Sequence, residues 1–219
     1  MTPALLARSS GRSPSRVRPH LLVIAKAPVA GRSKTRLTPP CTGHEAAALA
    51  EAALADTLDA VRAAGATRRV LALDGAPGPW LPEGFEIVAQ RGDGLAERLA
   101  AAFDDTGDGA FLVGMDTPQL TSRQLDAALE HPCSFGAAAD GGWWGLGLPS
   151  PDARVFAGIP MSAADTGARQ RERLHALGYA PTELEVLRDV DTIADALAVA
   201  ALAPGTRFAA RLDAVQVAA

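Results

Sequence analysis

The sequence predicts a single-domain α/β protein, a three-layer sandwich with a mostly parallel central sheet. Three observations carry this. Short apolar runs without periodicity, at 21–25 and 110–114, read as strands buried on both faces. Segments with a helical apolar stripe separate such runs, and strand–helix alternation implies parallel pairing with helices on both faces. The 219 residues are 48% hydrophobic and 21% charged, enough for one sizeable core.

Taken in order, residues 1–19 are rich in Arg, Ser and Pro and lack the apolar stretch of a signal peptide, so a disordered tail is expected. Residues 21–25 form the first strand. A helix follows over 42/43–64, with Ala47, Ala50, Leu54, Leu58 and Val61 on one face and Gly65 as its stop. Strands are expected at 70–73 and 85–89, around a Gly/Pro loop at 75–84. Leu95, Leu99, Ala102 and Phe103 mark the next helix. A fourth strand spans 110–114, and a helix capped by Thr121 or Ser122 runs to 129. Residues 135–139 and 144–148 read as strands around Asp140-Gly-Gly, a candidate antiparallel element. A helix over 165–177, a last strand at 184–187 and a last helix at 192–202 complete the pattern.

Composition excludes several function classes. The net charge is −4 and the pI about 5.6, which argues against a broad nucleic-acid surface. Two cysteines cannot build a disulfide scaffold, and the four histidines follow no zinc-ligand spacing. No run of about 18 apolar residues exists, so no membrane span is expected, and the reading is a cytoplasmic protein.

Against that acidic background, Lys26-Ala-Pro-Val-Ala-Gly-Arg-Ser-Lys-Thr-Arg-Leu37 packs Lys26, Arg32, Lys34 and Arg36 into eleven residues after the first strand. A buried strand emptying into a basic turn and then a helix suits a small anion, phosphate above all. It is neither a Walker A loop nor a G-x-G-x-x-G turn. In an open α/β sheet, ligands sit beyond the carboxyl ends of the strands at a topological switch point. Two acidic sets fall there. Asp116, in Phe111-Leu-Val-Gly-Met-Asp-Thr-Pro118, leaves the fourth strand. Asp189 and Asp191, in Asp189-Val-Asp-Thr192, project to one side if extended. Mg²⁺ takes one or two protein carboxylates and completes its shell with phosphates and water. Asp116 and Asp191 are the expected ligands of Mg²⁺ or Mn²⁺, with Asp189 the lesser candidate. Thr192 and Asp195 also fit a helix-capping pattern. Arg98, in Gly92-Asp-Gly-Leu-Ala-Glu-Arg98, either reaches a cleft or pairs with a nearby carboxylate. Asp140-Gly141-Gly142 next to Trp143 and Trp144 suits close backbone approach to a ligand, while the tryptophans themselves favour a core role. No Ser-His-Asp or Cys-His arrangement is suggested.

These five motifs, in their order along the chain, resemble the DUF2064 proteins, the selenodomain-associated or arsenosugar-type glycosyltransferases. The resemblance spans roughly residues 20–200, and the first motif is also similar to 2-phospholactate guanylyltransferase. It implies a GT-A-like nucleotide-diphospho-sugar transferase domain over 20–205, with 206–219 as a C-terminal extension. It further implies that Asp116 holds the metal, joined by Asp191 at the start of the final helix. Lys26, Lys34 and Arg36 would face phosphates, with Gly31 in the same loop, and Arg98, Asp140, Gly141 and Gly142 would meet substrate. Asp116 and Lys26 would act in catalysis. The expected ligands are a nucleotide or nucleotide-sugar and a small-molecule acceptor. Met115, Trp143-Trp144 and Met161-Ser162 depart from the Ser, Tyr-Tyr and Trp-Ser usual there. Glycosyl transfer is favoured. Nucleotidylyl transfer is the alternative, and Met115 beside Asp116 motivates a third reading as a non-catalytic nucleotide-binding subunit.

Overall fold

The computed structural model describes residues 20–215. The expected disordered tail lies outside them. The buried run after His20 forms strand β1 (His20–Lys26) at the centre of a seven-stranded sheet. Helix α1 (Gly43–Ala63) follows, capped by a reciprocal Thr42–Glu45 box. Next come β2 (Arg68–Asp74), β3 (Glu86–Ala89), α2 (Leu95–Thr106), β4 (Ala110–Val113) and α3 (Ser122–Leu129), with Thr121 as the cap of α3. Strands β5 (Ser134–Ala137) and β6 (Trp143–Leu148) flank the Asp140 turn. Then come α4 (Thr166–Ala176), β7 (Thr182–Glu183), α5 (Ile193–Leu202) and α6 (Arg207–Asp213).

The strand order is β3-β2-β1-β4-β6-β5-β7. Only β6 runs antiparallel to its neighbours, so the predicted mostly parallel sheet with one antiparallel element is what forms. The alternating side chains of β1 fill two separate cores. Leu21, Val23 and Ala25 pack with α1 and α3 residues, and Leu22 packs with Phe103 of α2, Phe135, Phe156 and Leu174 of α4. A third cluster joins α1, α5 and α6.

Four expectations change. The expected last strand at 184–187 is instead the two-residue β7, followed by a single bridge from Leu187 to Ala138. β7 lies at the sheet's edge, where Val186 is 60% exposed, while Leu184 and Leu187 on either side of it pack into the first core. Ala46 and Leu49, not Ala47, line the buried face of α1. Leu95 is 44% exposed, because it begins α2 above the sheet rather than against it. The 192–202 helix is not the last: α6 follows, held by the Asp56 carboxylate, which accepts from the Arg207 and Phe208 N–H groups.

Candidate functional site

The direction in which strands are added to the sheet reverses about β1. The chain leaves β1 toward β2 on one side and reaches β4 on the other, which makes the β1/β4 boundary the switch point. A cleft of about 810 Å³ opens at the carboxyl ends of these strands. That is within the range of about 300–1,000 Å³ for ligand pockets.

The basic loop forms one wall. Lys26, Arg32, Lys34 and Arg36 all line the cleft. Lys34 adopts a left-handed backbone (φ 49°), uncommon for a residue with a Cβ. The only other non-glycine residue with positive φ among those described is Ser162 (φ 65°), which also lines the cleft. The Lys34 side chain is 8% exposed, and its ammonium lies 2.5 Å from Asp116 Oδ1 and 3.9 Å from Asp191 Oδ1. It also donates to the Val190 carbonyl. Arg36 donates to Asp191 Oδ2 at 2.6 Å.

The acidic wall is assembled by backbone pairing. The Val190 N–H donates to the Asp116 carbonyl at 2.9 Å, and Gln119 Nε2 donates to the Arg188 carbonyl at 2.7 Å. These bonds bring the segment after β7 against the loop after β4. Val190 is fully buried, so the extended chain turns Asp189 and Asp191 together toward the cleft. Thr192 then caps α5 through a reciprocal box with Asp195. The Asp-Val-Asp-Thr segment is therefore both a carboxylate pair and a helix start.

Asp189, the lesser candidate from sequence, is the more perturbed. Burial pushes its carboxyl up to about 7, and the carboxylates of Asp116, Asp140 and Asp191 push in the same direction while Lys34 opposes them. A carboxylate cluster short of positive charge suits a hard divalent cation. Among the described residues no three acidic, His or Cys side chains already form a closed metal cage. Mg²⁺ needs no such cage when phosphates and water supply the remaining ligands. The residues expected from sequence to hold the metal, Asp116 and Asp191, thus share the cleft with Asp189 and could be completed by phosphates and water.

Other expected residues are placed differently. Arg98 lines the cleft but is engaged, donating to Asp74 Oδ2 at 2.8 Å and to the Gly92 carbonyl at 3.1 Å. Asp140 lies at the rim, where its Oδ1 accepts from the Gly142 N–H. Gly142 lines the cleft; Gly31 and Gly141 do not. Gly31 turns the loop at φ 75°, and Gly141 (φ 91°) sits where a Cβ would strike the Ala164 carbonyl oxygen. Both glycines shape the walls. Trp144 is buried, edge-on to Phe111, with its indole N–H on the Glu185 carbonyl, whereas Trp143 packs on Phe135 and borders the cleft. Met115 Sδ accepts from the Lys26 N–H at 3.3 Å, tying the ends of β4 and β1 together. The sequence reading missed Gln90, Ala163 and Ala164 as cleft residues, while Asp93 and Met161-Ser162 fell in segments it singled out without giving them a role there. Gln90 and Asp93 flank the glycine-rich start of α2, which was a signal in reach.

No curated protein matches the sequence. Among solved structures, a candidate nucleotide-diphospho-sugar transferase from Desulfovibrio desulfuricans G20 is similar with a TM-score of 0.80 at 25% identity, over 90% of this chain and 95% of that one. Rv0371c from Mycobacterium tuberculosis H37Rv has a TM-score of 0.53 at 22% identity, covering 84% and 98%. CMP:2-keto-3-deoxy-manno-octonic acid synthetase, complexed with CTP, has 0.53 at 14%, covering 85% and 98%. The last two likenesses concern the fold alone. The architecture is that of nucleotide-diphospho-sugar transferases and nucleotidyltransferases. The family described as "Uncharacterized protein conserved in bacteria (DUF2064)" matches residues 48–163, more than half of the chain, and the protein belongs to that family.

Proposed function

We propose that the protein is a divalent-metal-dependent transferase that uses an activated nucleotide, with glycosyl transfer from a nucleotide-sugar to a small acceptor as its reaction. One observation carries the proposal: a basic loop and a carboxylate cluster converge in one cleft at the switch point, joined by the Lys34–Asp116 contact. The likeness to the Desulfovibrio protein favours a nucleotide-sugar as donor.

Asp116 and Asp191 would hold Mg²⁺ or Mn²⁺, with Asp189 beside them and phosphates and water completing the shell, and the bound ion would neutralise charge on the phosphates. Lys26, Lys34 and Arg36 supply cationic groups to the same phosphates as negative charge develops on the leaving group. Fixed charges in a sheltered cleft are worth more than in water and need no reorganisation during the reaction. Asp140, Gly142 and Trp143 line the same cleft, and the sugar and acceptor would lie against them.

Thermal unfolding against nucleotide-sugars and nucleoside triphosphates, with and without Mn²⁺, tests this. A ligand well above its Kd raises stability by about 2–4 kcal/mol. Metal-dependent stabilisation by a nucleotide-sugar, with turnover abolished in Asp116→Ala, is the expected result. A response to triphosphates alone points to nucleotidylyl transfer. Binding without turnover in the parent protein points to a non-catalytic subunit, and no response to any of these ligands overturns the proposal.

A further inference from the structure

We infer that Gln90 reads the nucleobase of the donor and selects guanine. The inference rests on the nucleotide reading above and names the specificity of that site.

Gln90 follows β3 and is locked in place. Its backbone N–H donates to the Leu73 carbonyl at 3.1 Å. Its Nε2 donates to the Ala25 carbonyl at 2.8 Å and to the Ala72 carbonyl at 3.0 Å. Two carbonyl partners settle which amide atom is nitrogen, and they use both of its hydrogens. What the side chain has left is Oε1, an acceptor. Among the described residues it has no protein donor, and it is not sealed away as a buried orphan. Gln90 lines the cleft.

The surroundings suit a flat heterocycle. Ile24, Leu95, Leu99 and Leu112 line the same cleft. Leu95 is 44% exposed, so a large apolar side chain is presented to a ligand and not to the core. An apolar wall beside a fixed polar atom orients a ligand by that atom. The carbonyl that Gln90 grips belongs to Ala25, and the next residue is Lys26, where the basic loop begins. A base held at Gln90 thus has the phosphate loop starting one residue away.

Chemistry selects among the bases. The side chains at this end accept more than they donate. Arg98 is committed to Asp74 and Gly92, and Asp93, three residues after Gln90, adds another acceptor to the cleft lining. Gln normally reads adenine with both ends of its amide, and here the donor end is spent. Guanine alone offers two adjacent donors, N1–H and N2–H. Uracil offers one donor between two carbonyls, and adenine and cytosine offer one amino group beside a ring acceptor.

The test is equilibrium binding in the presence of Mn²⁺ of GTP, ATP, CTP, UTP, N1-methyl-GTP and inorganic tripolyphosphate. We expect the wild type to favour GTP over the other bases and over N1-methyl-GTP by about tenfold or more, the scale of one good bidentate base contact. In Gln90→Leu that advantage falls to within about threefold, while tripolyphosphate binds as before. If Gln90→Leu does not fold, Gln90→Lys runs the same comparison, since an ammonium still donates to both carbonyls but accepts nothing. Preference for another base, equal binding of all nucleotides, or a guanine preference that survives either folded variant overturns the inference alone. Failure of every nucleotide and of tripolyphosphate to bind the wild type overturns the nucleotide reading as well.

Discussion

Replacing Asp189 by Asn removes one negative charge from the carboxylate cluster while keeping the side chain's shape. The Asp189 carboxyl sits at about 7, against an ordinary value of 3.8. A tenfold change in proton affinity corresponds to about 1.4 kcal/mol, so holding this group ionised in the folded state costs at most about 4 kcal/mol. The cleft admits water and Lys34 lies close, so about 1–2 kcal/mol is the expected net cost. A raised folded value means that the native state binds the proton more tightly than the unfolded chain. Stability contributed at this position therefore falls as pH rises from about 4 and levels off above about 7. Asn cannot ionise. Its advantage over the wild type should be near zero below about pH 4, grow between about 4 and 7, and stay constant beyond. Urea unfolding of both proteins in chelator-treated buffer at several pH values reads this directly. Added Mn²⁺ should stabilise the wild type more than the variant and so shrink the advantage. An Asn variant that is neutral or less stable than the wild type at pH 8 without metal refutes the reasoning, because Asp189 would then be held by contacts that favour its charge.

Three further outcomes follow from the same geometry. Lys34→Met leaves Asp116 and Asp191 without their ammonium partner and should cost about 1–3 kcal/mol by thermal unfolding, with Mn²⁺ restoring more stability to the variant than it adds to the wild type. Asp152, far from the cleft, is held down at about 2, first by the Arg154 guanidinium and then by the Tyr179 hydroxyl. Its contribution is present above about pH 4 and lost as pH falls through about 2, so Asp152→Asn should cost about 1–2 kcal/mol at pH 7 in denaturant titration and leave nucleotide binding unchanged. Gly141→Ala places a Cβ against the Ala164 carbonyl at φ 91° and should destabilise by about 2–4 kcal/mol in the same titration.

Much of the frame was legible because its signals are local. The runs at 21–25 and 110–114 are apolar at every position, and only a strand buried on both faces needs that. Thr121 and Thr192 announce helix starts through side-chain chemistry confined to four residues. The basic loop and Asp116 stood out as charge placed just after buried strands. What stayed hidden depends on partners distant in sequence. Nothing near Leu95 says that it opens onto a cleft, since its helical stripe predicts core. Glu185 and Val186 lie beside an edge strand, and edge status is decided by which strands pair, not by the run itself. Gln90 stands just before the Gly92–Arg98 motif, but its placement arises only when β1 and β2 present the Ala25 and Ala72 carbonyls together. α6 follows a Pro-Gly break, and its apolar residues find a face only once α1 and α5 are side by side.

Asp189 and Asp191 both line the cleft, and charge alone does not distinguish them. In sequence the two aspartates differ only in distance from the helix cap. In the fold, one buried residue between them turns both toward the cleft. Val190 donates its N–H to the Asp116 carbonyl and accepts from Lys34 through its own carbonyl. Both bonds belong to one peptide-bearing residue with no exposed surface. The first fixes Asp116, Asp189 and Asp191 through the backbone, and the second adds Lys34 through its ammonium, so none of the three carboxylates has to hold the others in place. Lys34 reaches this position from a left-handed backbone that costs free energy. A loop required only to be soluble would relax to an ordinary conformation and let the lysine reach water. Its burial against three oxygens is explained if the strain holds a cation beside the carboxylates until phosphates and a metal ion share the cleft with it. A Val190→Ala variant then has a distinctive consequence. It keeps both backbone bonds, so it should lose about 1–2 kcal/mol of packing while metal-dependent nucleotide stabilisation persists. Loss of that stabilisation in a variant that still folds would mean that the side chains, not the Val190 backbone, hold the cluster together.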